Sequence, residues 1–327
     1  VSQSYDRCVG SDIRYCQPLP EGIFRLRPIA ATAVGLRRRT RYRVGVSVVI
    51  VTDSSSRLPA SLLDEHGILQ VPLYLTTEDG TSYAEGVDDM PDDIITTPKV
   101  TTSGANLRDL QKTYAQAWEL SDGDGVVAVH MSRRLSGTWS AARLAAENMD
   151  GQVRVVDSRS VGLSVGLTTM AAVQAAEKGA DRDGAYEAAV RAAATAESMI
   201  CVQALDNLRS SGRISAASHM LGSALAIKPI LHMADGILTL RERHRTSTKA
   251  IAKMLDAAVE LAEDEPVTVG IQHCRNPELA ESVLEQAVER IEKVTSTIVV
   301  DLGAVLGTHV GPGAVGITLG HGLDPLS

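Results

Sequence analysis

Gly125-Val126-Val127-Ala128-Val129-His130 leads through Met131-Ser132-Arg133-Arg134-Leu135-Ser136-Gly137 into the helix-period segment Thr138–Asn148, and Val153–Val156 follows. Strand, glycine-containing loop, helix and strand in that order form the repeating unit of an α/β sheet. The alternation extends in both directions. Upstream lie the strand-like runs Val46–Val51 and Leu69–Leu75 and the helical segment Leu107–Leu120. Downstream, helices are predicted over Val165–Lys178, Asp183–Ala196, Thr248–Glu263 and Pro277–Lys293, and strands over Met199–Ala204, Val267–Gln272 and Thr297–Asp301. Leu225–Leu231 and Ile237–Arg243 flank Ala234-Asp235-Gly236, a hairpin signal. Up to residue 158 the pattern implies a parallel sheet; beyond it, two consecutive helices and a hairpin imply a mixed one. The expectation is an α/β protein of two α/β domains, a parallel-sheet N-terminal domain over 45–160 and a mixed-sheet C-terminal domain over 161–323. A cleft between such domains is a favoured ligand site.

Residues 1–44 lack this regularity and are expected to form a disordered arm. Their nine arginines against three acids give the arm +6, so the rest of the 327-residue chain, whose total is -8, carries -14. An acidic body argues against nucleic acid as a partner. Four cysteines at 8, 16, 201 and 274 have no metal-ligand spacing and are too few for a disulfide scaffold, which suits a reducing cytoplasm. Val44 to Val51 is too short to span a bilayer. Gly303 to Leu323, with seven glycines and a proline, reads as loop and strand.

Five loops carry polar groups suited to chemistry. Thr52-Asp53-Ser54-Ser55-Ser56 ends the first strand, where ligands of open α/β sheets sit, although Ser or Asp there also suits a helix cap. Thr101-Thr102-Ser103-Gly104 precedes a helix whose expected cap is Asn106. Ser132 to Thr138 is the best small-anion cradle, because Gly137 admits close approach and Ser136 and Thr138 add donors. Arg213 follows a Ser-Gly turn, where a guanidinium can grip a carboxylate or phosphate. Gly311, Gly313 and Gly316 match a dinucleotide fingerprint, but the segment after Pro312 is β-prone and only eleven residues follow Gly316, so no cofactor is expected. His309 is then the notable residue of that stretch. No metal ligand set is expected either.

Taken in order, these loops make a pattern: Thr52-Asp53-Ser54, Val71-Pro72-Leu73, Thr102-Ser103, Leu135-Ser136-Gly137-Thr138, Asp157-Ser158 with Ser164 and Gly166, Gly212-Arg213-Ile214-Ser215, Lys228-Pro229-Ile230-Leu231 and His309-Val310-Gly311-Pro312-Gly313-Ala314. The succession resembles the DegV family over roughly residues 45–320. That resemblance implies a tunnel between the domains holding one long-chain fatty acid, in the acyl-carrying subunit of a bacterial fatty acid kinase that serves phospholipid synthesis. It implies that Thr102, Ser103, Ser136 and His309 hydrogen-bond the carboxylate. Asp53, Ser54, Gly137, Thr138 and Arg213 would lie near the head-group, and Arg245 would dock the kinase catalytic subunit. The chain departs from the family at Gly104-Ala105-Asn106, where Gln-Pro-Ser is usual, at Val310 in place of Thr, and at Ser211 in place of Gly.

The composition is compatible with a carrier, since the single phenylalanine is Phe24 in the arm and a tunnel would be walled by aliphatic side chains. The expectation is thus a monomeric, non-enzymatic lipid carrier without integral membrane insertion. The alternative is a serine hydrolase acting on acyl esters through Ser136, His309 and Asp53. Against it, Ser136 lacks the G-x-S-x-G elbow.

Overall fold

The computed structural model describes residues 48–215 and 227–326, together with the backbone of Arg25 and Leu26. The arm expected over 1–44 lies outside the described residues, save for the two-residue strand β1 (Arg25–Leu26).

The β-branched runs form a four-stranded sheet from β2 (Val49–Asp53), β3 (Leu69–Val71), β7 (Val126–His130) and β8 (Val153–Asp157), in the order β3-β2-β7-β8. All its pairings are parallel. A parallel sheet needs cover on both faces. One pair of helices is α2 (Leu107–Leu120) and α3 (Thr138–Glu147); the other is α4 (Leu163–Glu177) and α5 (Arg182–Thr195). The short α1 (Ala60–His66) links β2 to β3.

Leu69–Leu75 is not one strand, as expected from its apolar run. It breaks after Val71, because Pro72 has no N–H for a ladder and Leu73 N instead bonds Ser54 Oγ at 3.1 Å. The chain resumes as β4 (Tyr74–Thr76) in a separate antiparallel sheet with β5 (Ser82–Ala84) and β6 (Thr101–Ser103), in the order β5-β4-β6.

The second half builds a mixed sheet from β9 (Glu197–Cys201), β10 (Lys228–Ala234), β11 (Ile237–His244), β12 (Val267–His273), β13 (Val294–Asp301) and β14 (Val315–His321). With β1 at its edge, its order is β1-β13-β12-β14-β9-β10-β11. The β10–β11 hairpin turns on Asp235 and Gly236, both at positive φ, as a tight two-residue turn requires. The short α6 (Asp206–Ser210) follows β9, and one face of the sheet packs on α7 (Ser247–Ala262) and α8 (Pro277–Arg290) through Val267, Val269, Ile271, Val315, Ile317 and Leu319.

The opposite face meets α4, which touches β2 and β7 on one side and β12 and β14 on the other. Eleven of its fifteen residues are accordingly buried, and the buried Thr168 and Thr169 donate their hydroxyls back to Ser164 O and Val165 O, each at 2.8 Å. Two glycines permit the approach. A Cβ on Gly166 would lie 2.5 Å from Ser56 O, and one on Gly270 would lie 2.5 Å from Leu163 Cδ2. The expected boundary at 160/161 therefore falls just before a helix that both sheets share.

Candidate ligand-binding cavity

Sequence reading placed residues 303–323 in loop and strand, but Gly303–Val310 is a helix, α9. Glycine's low helix propensity hides it. The glycine at 307 answers to packing, since a Cβ there would lie 2.8 Å from Ile95 Cδ1. The start of α9 is held by Asp301 Oδ1, which accepts from Gly303 N at 2.7 Å, and by Glu85 Oε1, which accepts from Val305 N at 3.0 Å. Buried Glu85 also accepts from Ser54 Oγ at 2.7 Å and pairs with Arg57 at 3.5 Å. It ties the end of β2 to the helix that carries His309. Glu85 was missed in the sequence because an isolated acid after a short strand has no pattern.

From this scaffold His309 Nε2 meets Thr102 Oγ1 at 2.8 Å. Thr102 leads through Ser103 to Gly104, and a Cβ on Gly104 would lie 2.6 Å from Thr138 Oγ1 and 2.8 Å from Ser136 Oγ. Those two hydroxyls are 2.9 Å apart, and Ser136 Oγ also accepts from Thr138 N at 3.2 Å. Arg213 closes the ring, its Nε donating to Leu135 O at 3.4 Å. Burial, then the Arg213 charge, pulls His309 down to about 4, so the imidazole is neutral at neutral pH and offers one N–H.

These groups stand at one end of a cavity enclosing about 910 Å³ of space free of atoms, mouth included. Thr102, Ser103, Ser136, Gly137, Arg213 and His309 all line it. Ser103 and Gly137 are exposed, which makes this end the mouth. The rest of the wall is largely apolar, with Leu73, Met131, Val161, Ile200, Leu238 and Leu306 among its members. Among the described lining residues Arg213 carries the only formal charge, and there is no acid. Such a vessel suits an elongated apolar molecule ending in an anion.

The remaining residues named from the sequence lie elsewhere. Asp53, Ser54 and Thr138 are buried behind the cavity wall and are not part of its lining. Asp53 caps the 3₁₀ turn Ser54–Ser56 rather than α1, accepting from Ser55 N at 3.1 Å. Its other oxygen accepts from Met131 N at 3.1 Å and meets His130 Nδ1 at 2.9 Å, while Tyr114 Oη meets His130 Nε2 at 2.8 Å. The carboxylate that a Ser136–His309–Asp53 triad requires is thus engaged with a different histidine. Arg245 is exposed beyond β11 and is not in the cavity lining. Among the described residues no group of three or more His, Cys, Asp or Glu could hold a metal ion, and no helix is long and apolar enough to cross a membrane.

Residues 47–320 match the family model described as "Uncharacterised protein, DegV family". A DegV domain-containing protein of Mycobacterium tuberculosis is 43% identical over 280 residues, spanning 86% of this chain and 99% of the relative. The crystal structure of a DegV family protein from Corynebacterium glutamicum superposes with a TM-score of 0.75 at 32% identity, covering 86% of this chain and 99% of that one. A DegV family protein from Thermus thermophilus, whose structure is described as showing fatty acid binding, superposes with a TM-score of 0.79 at 29% identity, covering 84% and 99%. With the mixed α/β architecture and the loop succession in place, the chain belongs to the DegV family.

Proposed function

We propose that this chain binds one long-chain fatty acid in the cavity and presents its carboxylate at the mouth to the catalytic subunit of a fatty acid kinase, which forms the acyl phosphate. The observation that carries the reading is the cavity's polarity: an apolar interior with hydroxyls, a neutral histidine and one guanidinium gathered at the mouth. The fatty acid binding described for the Thermus thermophilus relative supports it. In this reading Thr102, Ser103, Ser136 and His309 hydrogen-bond the carboxylate, and Arg213 supplies the opposite charge. Gly137 leaves room for the head-group. Asp53, Ser54 and Thr138 act from behind, by fixing the loops that carry the donors. Exposed Arg245 is the residue proposed to dock the kinase.

Energetics favour the arrangement. At about 0.8 kcal/mol per buried methylene, a chain of roughly 14 methylenes gains on the order of 11 kcal/mol. That exceeds the few kcal/mol lost when a carboxylate exchanges water for fixed donors. The protein contributes binding, orientation and exposure of one oxygen; the kinase contributes the phosphoryl group. A cytoplasmic monomer serves this role, since a carrier must leave its mouth free for the partner.

Native mass spectrometry of protein purified without added lipid, followed by solvent extraction, tests the proposal. The expected result is one fatty acid per chain. Protein that emerges empty and takes up no fatty acid on titration would sink it.

A further inference from the structure

The cavity wall carries two further polar groups outside the cluster at the mouth. Gln272, on β12, and Ser198, on β9, both line the cavity and are 3% and 7% exposed. Their hydrogen bonding is half complete. Gln272 Oε1 accepts from Leu163 N at 3.0 Å, which fixes the orientation of the carboxamide, because a backbone N–H needs an acceptor. Its Nε2 hydrogens have no partner among the described residues. Ser198 Oγ accepts from Thr318 Oγ1 at 3.1 Å, which leaves the Ser198 hydroxyl hydrogen to donate elsewhere.

Sheet register places the pair on one face. Gln272 stands beside Gly316, and Gly316 beside Ile200. Ser198 is two residues from Ile200 and so points the same way. Gly316 contributes no side chain, and a Cβ there would lie 3.3 Å from Gln272 Cγ. Ser198 stands three positions before Cys201, the end of β9. At about 3.3 Å per residue that is on the order of 10 Å back from the strand end, past which the chain runs on to Arg213 at the mouth. Both groups offer an unused donor, and the oxygen of each already accepts one hydrogen bond. An apolar tail alone would leave two buried donors unmatched, which costs free energy.

We infer that the cavity is built for an acyl chain bearing an oxygen along its length, a hydroxy- or oxo-fatty acid, whose oxygen accepts from Gln272 Nε2 or Ser198 Oγ. This rests on the fatty acid reading above and names the substrate class within it. One bound water is the competing partner of these donors.

The test is competitive native mass spectrometry on the full, delipidated chain. Octadecanoic acid competes with a series of hydroxyoctadecanoic acids whose hydroxyl steps along the chain. One or two adjacent positional isomers should bind about tenfold more tightly than octadecanoic acid, and removal of the donor they reach, by Ser198→Ala or Gln272→Met, should bring that ratio close to one. The ratio is taken within each variant, so a general loss of stability leaves it unmoved, and Ser198→Ala stands if Gln272→Met folds poorly. A series in which no isomer beats octadecanoic acid overturns the inference and assigns the two donors to water, while fatty acid binding itself stands. Failure of every acid to bind overturns the underlying reading and this inference with it.

Discussion

Thr52-Asp53-Ser54-Ser55-Ser56 and Thr101-Thr102-Ser103-Gly104 are both hydroxyl-rich stretches at strand ends, yet one turns its polar groups into the protein and the other toward the cavity. In the first, Thr52 Oγ1 donates to Val129 O at 3.0 Å, Ser54 Oγ bridges Glu85 and Leu73 N, and Ser55 Oγ donates to Asp53 at 2.5 Å. All five residues are buried with their partners in place. In the second, Thr102 reaches His309 on α9, and Ser103 is exposed at the cavity mouth. The two histidines repeat the contrast. His130 is buried with Tyr114 on one nitrogen and Asp53 on the other, whereas His309 has Thr102 on Nε2 and faces the cavity. Composition makes a loop polar; uncommitted hydrogen-bonding capacity makes it a site.

The largest expected effect breaks the inward-facing loop. Asp53→Ala removes the acceptor for Ser55 N, Met131 N and the His130 ring at once. Breaking a buried charged network in this way costs about 3–5 kcal/mol, to be read from urea unfolding. A loss below about 1 kcal/mol would mean that Asp53 is as dispensable as a surface cap, and the contrast between the loops would fall.

His309 carries the next largest effect, through acid. The folded protein keeps His309 neutral down to about 4, while an ordinary histidine titrates near 6.5. Between those values the unfolded chain binds more protons, so acid favours unfolding there. The stability that His309 confers by staying neutral is whole above pH 6.5 and gone below about 4. His309→Gln should flatten the fall in unfolding free energy of lipid-free protein across that window. An unchanged slope would assign it to other groups. A bound carboxylate beside the ring should shrink that fall and end it nearer pH 6.5, since an opposite charge favours the imidazolium and raises the folded value toward the unfolded one.

Much of this was legible in the sequence, and the failures share a cause. Leu107–Leu120 was bounded to the residue because Asn106 is a side-chain cap that accepts from Asp109 N at 2.9 Å. The hairpin at Asp235-Gly236 and the parallel half followed from local patterns as well. What local pattern could not supply was tertiary compensation. Helix α9 contains glycines that an isolated helix disfavours, and it persists because Glu85 and Asp301 satisfy its first N–H groups. The split at Pro72 required knowing that a second sheet was available. Within the site, Thr102, Ser103, Ser136, Gly137, Arg213 and His309 were singled out as polar groups in loops and do meet at one mouth. Gln272 and Ser198 escaped notice because each is one polar residue inside a strand, and register alone reveals which face it takes.

Ser136→Ala sharpens the comparison from the cavity side. Ser136 Oγ shares hydrogen bonds with Thr138 at the start of α3, and in the proposed function also donates to the carboxylate. Loss of one such donor should weaken fatty acid binding about tenfold, measured by competition with a fluorescent fatty acid. Equal affinity in the variant would return Ser136 to the role of a helix-start hydroxyl, like those of the inward-facing loop.

The smallest effect separates capping from binding within the second loop. Capping of α2 falls to Asn106, whose side chain accepts from Asp109 N and donates to Tyr74 Oη at 3.0 Å, two residues past Gly104 and outside the cavity lining. Asn106→Ala should therefore cost about 1 kcal/mol of stability, the usual worth of an N-cap, with fatty acid affinity unchanged within about twofold, a few tenths of a kcal/mol. Chemical denaturation and the same competition assay read the two quantities on one preparation. If affinity falls in step with stability, the helix start and the Thr102–Ser103 donors form a single cooperative unit. The hydroxyls at the mouth would then be held by the cap, and the separation drawn between structural and ligand-facing polar groups would have to move inside the loop itself.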